Sequence, residues 1–312
     1  MIKRLFQKLS KSEALVGISR SKAGVALAQA LPKPGSKPCL KFCDYLPGDM
    51  ENSHHLLNKG SQHRGVGACH AVFVLEMGCY QLLQVVPPDV PQNEMREAIR
   101  WQIGDLIDYP PEEAVVDVFP IPRGNQKERA RSAYVVAAHK DQIAERVAWM
   151  RNARLNIRAI DIPELVLCNL LNLLPDTGRG VGCLYFDDDS GLIILSSGRK
   201  LCLARNLPFG AMGLMGATSR LEPVIESIAL EIQRSFDFYE RNFAQVSIGS
   251  LMVTPQEFDL GPLLNGLQTS LGIDVTTLDL GQIMECPDPL PAHAGRCLLA
   301  IGAALREHEG AI

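Results

Sequence analysis

The sequence contains no long hydrophobic run. No stretch reaches the roughly 18 uninterrupted apolar residues that a membrane-spanning helix requires, and the N-terminus lacks the apolar core of a secretory signal. An excess of one charge is also missing, because 31 Lys and Arg residues stand against 35 Asp and Glu residues, a net charge of −4. Nucleic-acid binding over a broad surface needs a basic excess. We therefore expect a cytoplasmic protein that does not bind nucleic acid.

Motifs of covalent and metal chemistry are missing as well. The 9 cysteines are odd in number and lie mostly among apolar neighbours, which is typical of buried thiols rather than of a disulfide framework. No G-x-S-x-G, H-E-x-x-H or P-loop motif occurs. The cysteines and histidines between residues 39 and 79 are irregularly spaced, and Cys69 and His70 would point to opposite faces of a strand. We predict no catalytic residue and no metal site.

The sequence does have the material for a large core and a repeated order of short strands. Of its 312 residues, 46% are hydrophobic, enough for one large domain or two lobes. Near the start, apolar runs at 14–18 and 24–30 flank a polar turn, and a third run follows at 39–45. Residues 181–205 repeat this order of three strands around an acidic first turn. Each set predicts a three-stranded meander that opens one lobe.

Between the two meanders, the pattern predicts an insert with helix-strand-strand-helix order. Residues 87–155 are bounded by prolines and turns, and strands are predicted at 114–120 and 133–138. Apolar residues recur at helical spacing in its first and last parts: Met95, Ile99, Ile103 and Leu106, then Ile143, Val147 and Met150. After Pro163, the run ELVLCNLLNLL is apolar on more than one face, which indicates a buried helix that links the lobes.

Five segments carry a family resemblance: PPDVPQNEMREAIRWQIGDLIDYPPEEAVVDVFPI in the insert, YVVAAHKDQIAERVAWMRNARLNIRAIDIPELVL at the return to the first lobe, LARNLPFG, ALEIQRSFDFYERNF and the terminal AIGAALR. They resemble the PilM family of type IV pilus assembly proteins, most closely its MSHA-pilus branch, over nearly the whole chain from about Leu15. The resemblance implies an α/β, two-lobed actin-like ATPase fold whose first lobe carries an inserted α-β-β-α subdomain of the type found in the cell-division protein FtsA. The expected division is a first lobe of residues 1–86 and 156–175, with 296–312 returning to it, an insert at 87–155 and a second lobe at 176–295.

The first turn of the expected nucleotide cleft departs from the family pattern. Actin-like proteins hold ATP between their lobes, where the meander turns present backbone N–H groups to phosphates and acidic side chains orient magnesium. The family's first turn typically reads G-I-D-I-G-S-S, whereas residues 17–23 read GISRSKA. Ser19 lacks the charge that holds hydrated Mg²⁺, and a Cβ at Ser21 obstructs the approach of a phosphate to the backbone. Lys22 still offers a positive charge.

The other two nucleotide signatures are altered too. Three adjacent carboxylates in the second turn, Asp187 to Asp189, repel a triphosphate unless a cation lies among them. The glycine-rich adenosine loop is reduced to SIGS at 247–250. The resemblance therefore implies a degenerate nucleotide cleft formed by Ser19, Ser21, Lys22, Asp187, Asp189, Ser190, Gly249 and Ser250. We predict no firmly held cofactor, with ATP and Mg²⁺ bound weakly and no hydrolysis; the alternative is an actin-like ATPase that switches the machine.

The resemblance also implies partners. In the PilM family, the cytoplasmic N-terminal peptide of a PilN-like inner-membrane protein docks between the first lobe and the insert. We therefore expect a scaffold that joins further pilus assembly components at the cytoplasmic face of the inner membrane. A type II secretion platform protein shares the fold but ordinarily continues into a membrane span, whereas this chain ends at Ile312.

Two features fit more than one role. The first eleven residues form a basic amphipathic pattern that indicates either peripheral contact with an anionic membrane or a short helix packed on protein: Ile2, Leu5, Phe6 and Leu9 share one face, beside Lys3, Arg4, Lys8 and Lys11. Trp101, next to the apolar stripe of the insert's first helix, is either an edge-of-core residue or an anchor for a partner.

Overall fold

A computed structural model describes residues 14–33, 35–67, 69–122, 132–216, 221–243 and 247–306. Its strands are β1 (Leu15–Ser21), β2 (Gly24–Leu31), β3 (Cys39–Pro47), β4 (His70–Val74), β5 (Gln81–Val85), β6 (Ala114–Pro120), β7 (Ala133–His139), β8 (Asn156–Asp161), β9 (Gly180–Phe186), β10 (Gly191–Ser197), β11 (Lys200–Leu207), β12 (Ile248–Val253) and β13 (Asp274–Thr277). Its helices are α1 (Ser53–Arg64), α2 (Gln92–Gln102), α3 (Lys140–Asn152), α4 (Pro163–Leu171), α5 (Ala211–Gly216), α6 (Leu221–Phe243), α7 (Gly261–Leu271), α8 (Leu280–Ile283) and α9 (Leu298–Ala304). The basic pattern at residues 1–11 lies outside the described residues.

Two five-stranded sheets share one topology. Their strand orders are β3-β2-β1-β4-β8 and β11-β10-β9-β12-β13. In each, an antiparallel meander is followed by two strands that run parallel to the first one. Each crossover uses helices, namely α1 and α3 in the first sheet and α6 and α7 in the second. This duplication is the predicted two-lobed actin-like α/β fold.

The central strand β1 is covered on both sides, which explains its nearly continuous apolar sequence. Six of its 7 residues are buried. Helix α9 packs directly on it, so closely that a Cβ on Gly17 would lie 1.8 Å from the carbonyl oxygen of Ala300. Small residues in α9 permit this approach of two backbones. Helix α9 therefore packs on the first sheet.

The third sheet lies in the insert and has the order β5-β7-β6. The predicted elements α2, β6, β7 and α3 are all present. Strand β5 pairs along its whole length with β7, from Gln81–Ala137 to Val85–Ala133. Helix α3 instead buries Trp149 against Phe73 of the first sheet, with ring centroids 5.5 Å apart.

Packing therefore suggests a different boundary for the insert from the expected 87–155. Helix α3 connects β4 to β8 as α7 connects β12 to β13, so it occupies a repeated position of the fold. We propose that the insert comprises β5, α2, β6 and β7, about residues 80–139. The reason is that the apolar side of α3 fits the first-lobe core, while α2 covers the small sheet with Ile99 and Ile103.

Helix α4 is the buried link that its sequence predicts. Its buried residues include Val166, Leu167, Leu170 and Leu171, which occupy several faces. It contacts α9 as well as β9, β10 and β11 of the second sheet. Within the described residues, no helix combines the length and the apolar character needed to cross a membrane.

Candidate functional site: a cleft closed by opposite charges

The turns that follow β1 and β9 face each other across a cleft between the lobes. Residues lining it include Ser19 and Ser21 from the first lobe, Asp187 and Gln256 from the second, and Tyr45 and Arg296 beside them. Its cavity volume is about 90 Å³. Pockets that hold cofactor-sized ligands usually measure roughly 300–1,000 Å³. The predicted first two signatures therefore do meet, in a cleft that is narrow in this conformation.

An ion pair joins the tips of the two turns. The Nζ atom of Lys22 donates to Oδ2 of Asp189 at 2.5 Å. The hydrogen bond to Asp189 raises the pKa of Lys22, and the charges of the same residue, Asp187 and Asp188 add to the effect. Both side chains are well exposed, at 77% and 55%, so water screens their attraction. The pair nevertheless occupies the space between the two turns, to which the resemblance assigns the phosphates of a nucleotide.

A second, less exposed contact lies deeper in the cleft. Arg296, in the 3-10 turn Ala292–Cys297 before α9, donates from Nη1 to Asp188 at 2.8 Å and from Nη2 to Glu257 at 3.0 Å. Its guanidinium carbon also lies 5.8 Å from the centroid of the Tyr45 ring. The hydrogen bond to Glu257 is the main cause of a raised pKa at Arg296. Arg296 thus neutralises part of the acidic turn that a Mg²⁺ ion would otherwise have to neutralise.

The backbone of the second turn is already engaged. The amide of Asp187 donates to the carbonyl of Ser190 at 2.8 Å, and the amide of Asp188 donates to Oδ1 of Asp187 at 2.9 Å. The carbonyls of Asp187 and Asp188 accept from the first two residues of α5. Two of the N–H groups that could have cradled a phosphate are therefore used internally. Burial, with smaller contributions from Asp188 and Asp189, raises the pKa of Asp187.

Gly210 fixes the position of this turn. A Cβ at residue 210 would lie 2.4 Å from the carbonyl oxygen of Asp188 and 2.4 Å from the amide nitrogen of Ser190. No side chain fits there without displacing the turn. The glycine of the LPFG motif therefore allows the start of α5 to pack in direct contact with the acidic turn.

Arg20 is a residue of the first turn to which the sequence alone assigned no role. It stands where the family pattern has Ile, yet its side chain is only 4% exposed and donates from Nε to Glu76 at 2.5 Å. Arg146 of α3 reaches the other oxygen of Glu76 at 3.3 Å. The guanidinium of Arg20 also lies 5.2 Å from the centroid of the Trp149 ring. A buried carboxylate thus joins the first turn to α3.

Glu76 belongs to residues 75–80, the junction from which the insert leaves the first lobe. Two neighbours extend its contacts: Arg146 donates to Sγ of Cys79 at 3.2 Å, and Tyr80 donates to Oε2 of Glu164 at 2.6 Å. Burial raises the pKa of Glu164 to about 7. The same burial, together with the Glu164 charge, raises the pKa of Tyr80. Through Tyr80 the junction also contacts α4, the helix between the lobes.

The structure does not bring the third predicted signature to the cleft. Gly249 and Ser250 lie at the beginning of β12, where Ile248 pairs with Gly180 and Ser250 with Val181. At ~3.3 Å per residue, this is roughly 20 Å from the Asp187 turn. The parallel register of β12 and β9 is the reason, because it brings the end of β12 to the cleft. The segment that lines the cleft there is Pro255, Gln256 and Glu257, which contains no glycine.

The contacts made by the two cleft turns do not favour binding of a cofactor. The cleft carboxylates are engaged with Lys22, Arg296 or backbone amides, so a magnesium ion would have to compete with them. Ser21 accepts the amide of Ala23 at 3.2 Å. Over the described ranges, no group of three or more His, Cys, Asp or Glu residues is placed to hold a metal ion.

Comparisons with known proteins agree with this architecture. No protein-family model and no curated protein matches the chain. Among solved structures, it is similar to a chain of the PilM-PilN type IV pilus biogenesis complex, with a TM-score of 0.73, 20% identity and coverage of 95% of this chain and 98% of that one. It is also similar to the cytoplasmic domain of EpsL, an inner membrane component of the type II secretion system of Vibrio cholerae (TM-score 0.53, 11% identity, coverage 95% and 97%). A Bacteroides thetaiotaomicron protein with an actin-like ATPase fold and unknown function has a TM-score of 0.51, 12% identity and coverage of 93% and 96%. At these identities the similarities establish the fold, and the fold is actin-like.

Proposed function

We propose that this chain is a cytoplasmic scaffold of a type IV pilus assembly machine. In this role it binds the N-terminal cytoplasmic peptide of a PilN-like inner-membrane protein and connects further pilus components to it. One observation carries the proposal: 95% of the chain superposes on a chain of the PilM-PilN type IV pilus biogenesis complex. The motifs that resemble the MSHA branch support the finer assignment to an MshI-like protein at the cytoplasmic face of the inner membrane.

The contacts in the cleft favour a scaffold over an ATPase. Lys22 and Arg296 bind the carboxylates of the acidic turn, and the amides of Asp187 and Asp188 bind acceptors of their own turn. A nucleotide would have to break these contacts before it gained its own. The proposed protein is therefore a pseudo-ATPase whose lobes are held together by its own side chains.

An active ATPase is the second candidate, because the two charged turns still face each other as they do around a nucleotide. Calorimetric titration with ATP, with and without Mg²⁺, separates the two. If the protein is a scaffold, we expect no Mg²⁺-dependent binding of ATP. Tight Mg²⁺-dependent binding of ATP that disappears in an Asp187→Ala variant would instead identify the protein as an ATPase.

The partner is tested by fluorescence anisotropy with a labelled synthetic peptide. The peptide carries the N-terminal cytoplasmic residues of the PilN-like protein from the same organism, and a scrambled peptide of equal charge is the control. We expect saturable binding of the native sequence that is unaffected by Mg-ATP. Equal binding of both peptides, or of neither, would remove the mechanism of the proposal. Preference for a peptide from a type II secretion protein would move the chain to that machine, which the similarity to EpsL makes the appropriate rival.

A further inference from the structure

One side of the insert exposes apolar and acidic residues together. Trp101, at the end of α2, is 55% exposed, and Leu106, in the following 3-10 turn, is 54% exposed. Val86, just beyond β5, is 54% exposed and is held beside α2, because the side-chain amide of Gln102 donates to its carbonyl at 3.1 Å. With the exposed Asp89, Asp105 and Asp108, these residues form what we call the acidic-apolar face.

The charge of this face is not neutralised within the described part of the chain. On the neighbouring helix α2, both arginines are paired, Arg96 with Asp117 at 2.9 Å and Arg100 with Glu97 at 2.7 Å. None of the three aspartates of the face makes an ion pair in the described ranges. Exposed apolar residues framed by charge are typical of interaction surfaces, and a large aromatic is the usual anchor. The complementary partner is a basic amphipathic segment.

The chain itself contains a segment with that chemistry. The first eleven residues combine Ile2, Leu5, Phe6 and Leu9 with Lys3, Arg4, Lys8 and Lys11. In helical form this pattern presents an apolar stripe flanked by cations, which matches Trp101, Leu106 and Val86 flanked by aspartates. We propose that residues 1–11 of one molecule dock on the acidic-apolar face of a second copy of this chain.

The topology favours a second copy over the same molecule. Residue 15 begins β1 at the end of the strand opposite the cleft, and the register of β1 with β4 places the junction at the cleft end. The path along β1 from residue 15 to the cleft end is roughly 20 Å at ~3.3 Å per residue. The connection at residues 12–14 spans at most roughly 10 Å.

Such a contact is heterologous, because the segment of one molecule meets a different surface of the next. Contacts of this kind generate rings or open chains of molecules rather than a closed two-fold dimer. The proposed consequence is a weak, salt-sensitive, head-to-tail association. In such an array, several copies of the protein would have the same orientation.

Intrinsic fluorescence of the full chain provides the first test. The protein has 2 tryptophans, of which Trp101 is exposed and Trp149 is buried, so docking changes only the Trp101 emission. We expect a blue shift and reduced acrylamide quenching as protein concentration rises, reversed by salt and removed by Trp101→Phe. An emission that stays constant with concentration, while sedimentation velocity detects only monomer, would overturn the proposal.

A charge exchange identifies the two surfaces. One variant carries Lys3→Glu, Arg4→Glu and Lys8→Glu, and the other carries Asp105→Lys and Asp108→Lys. Each alone should associate about tenfold more weakly or worse, because like charges then face each other. A mixture of the two should associate again, since each segment finds an opposite charge on the other variant. The control Glu222→Lys with Glu226→Lys adds the same charge on α6 and should behave as wild type.

Two results would contradict the proposal in this design. If the mixed variants stay apart, the acidic-apolar face is not the acceptor. If residues 1–11 instead bind phosphatidylglycerol vesicles while wild-type self-association is unaffected by the Asp105→Lys and Asp108→Lys changes, the segment is a membrane contact and the face has another partner.

Discussion

The β1–β2 turn and the β9–β10 turn occupy equivalent positions in sheets of the same strand order, yet they carry opposite charges. The first presents Lys22 at its tip, with Arg20 buried behind it, and the second presents Asp187, Asp188 and Asp189. In a nucleotide-binding actin fold both turns approach phosphates. Here the tips of the turns bind each other through Lys22 and Asp189. The two turns share one backbone arrangement, and their side chains are complementary in charge.

The turns also differ in how each is anchored to its own lobe. The first is held from the inside by a buried ion pair, Arg20 with Glu76. The second is held by its backbone, which bonds the start of α5 and packs against Gly210. Side-chain anchoring is sensitive to charge and backbone anchoring is sensitive to volume. Removal of a charge should therefore destabilise the first lobe, whereas added volume should destabilise the second turn.

The largest expected effect is at the buried carboxylate of the first lobe. Glu76→Ala leaves Arg20 and Arg146 without the carboxylate they share. We expect the free energy of unfolding to fall by about 3 kcal/mol. This is the lower end of the range for a broken buried ion pair, because Glu145 still contacts both arginines. Urea denaturation measures it. Glu285→Ala, which removes the partner of the exposed Lys33, is the control and should change little. Similar losses in both variants would show that burial does not distinguish the two pairs.

Added side-chain volume at the second turn should have the next largest effect on stability. Gly210→Ala places a methyl group against the backbone of Asp188 and Ser190, which we expect to cost about 1–3 kcal/mol in the free energy of unfolding. The matched control is Gly213→Ala in α5, where a Cβ meets nothing within 4 Å. That variant should be stabilised by about 0.5–1 kcal/mol, since alanine favours the helix. A tolerated Gly210→Ala would mean that the turn is not anchored by close packing.

The pH dependence of stability should identify the first lobe's buried acid. The pKa of Glu164 is about 7 in the folded chain against an ordinary value of 4.5. The unfolded chain therefore loses this proton first, and stability falls as pH rises from about 4.5 to about 7, by a total on the order of 3 kcal/mol. Urea midpoints between pH 4.5 and 8 should flatten in Glu164→Gln. An unchanged slope in that variant would assign the dependence to another group.

The smallest effect on stability is expected at the exposed pair of the turn tips. Lys22→Glu should leave the urea midpoint nearly unchanged, because solvent screens both side chains. It should instead widen the cleft, seen as a larger radius of gyration in X-ray scattering at low salt. Lys33→Glu is the control, since backbone hydrogen bonds between Leu40, Pro38 and Glu285 hold that region independently. No expansion in Lys22→Glu would show that Arg296 alone keeps the turns together.

The strands and helices could be predicted from the sequence because each is indicated by the spacing of apolar residues within a short stretch. Alternating apolar runs indicated both meanders, and helical spacing indicated α2, α3 and the buried α4. The boundary of the insert was harder to predict. Strand β5 has partly buried residues on both faces, so its sequence does not reveal whether it pairs with β4 or β7. That choice depends on a partner more than 40 residues away.

The candidate site was predictable only where the residues follow a meander strand. Ser19, Ser21, Lys22, Asp187, Asp189 and Ser190 belong to the two turns that the structure brings face to face. Gly249 and Ser250 lie elsewhere because strand register, which composition does not encode, sets which end of β12 reaches the cleft. Glu76 had no sequence signal, since a single Glu in a loop is ordinary. Arg20 had one, a charged residue in an otherwise apolar strand.

The sequence by itself determined the strand and helix periodicity, the duplicated meanders, and the positions where the nucleotide signatures are altered. These follow from side-chain spacing and turn chemistry over short stretches. The tertiary structure alone decided that Lys22 meets Asp189, that Arg296 enters the acidic turn, and that Glu76 joins Arg20 to Arg146. Each of these contacts joins residues more than 50 positions apart, and their geometry depends on how the sheets and helices pack together.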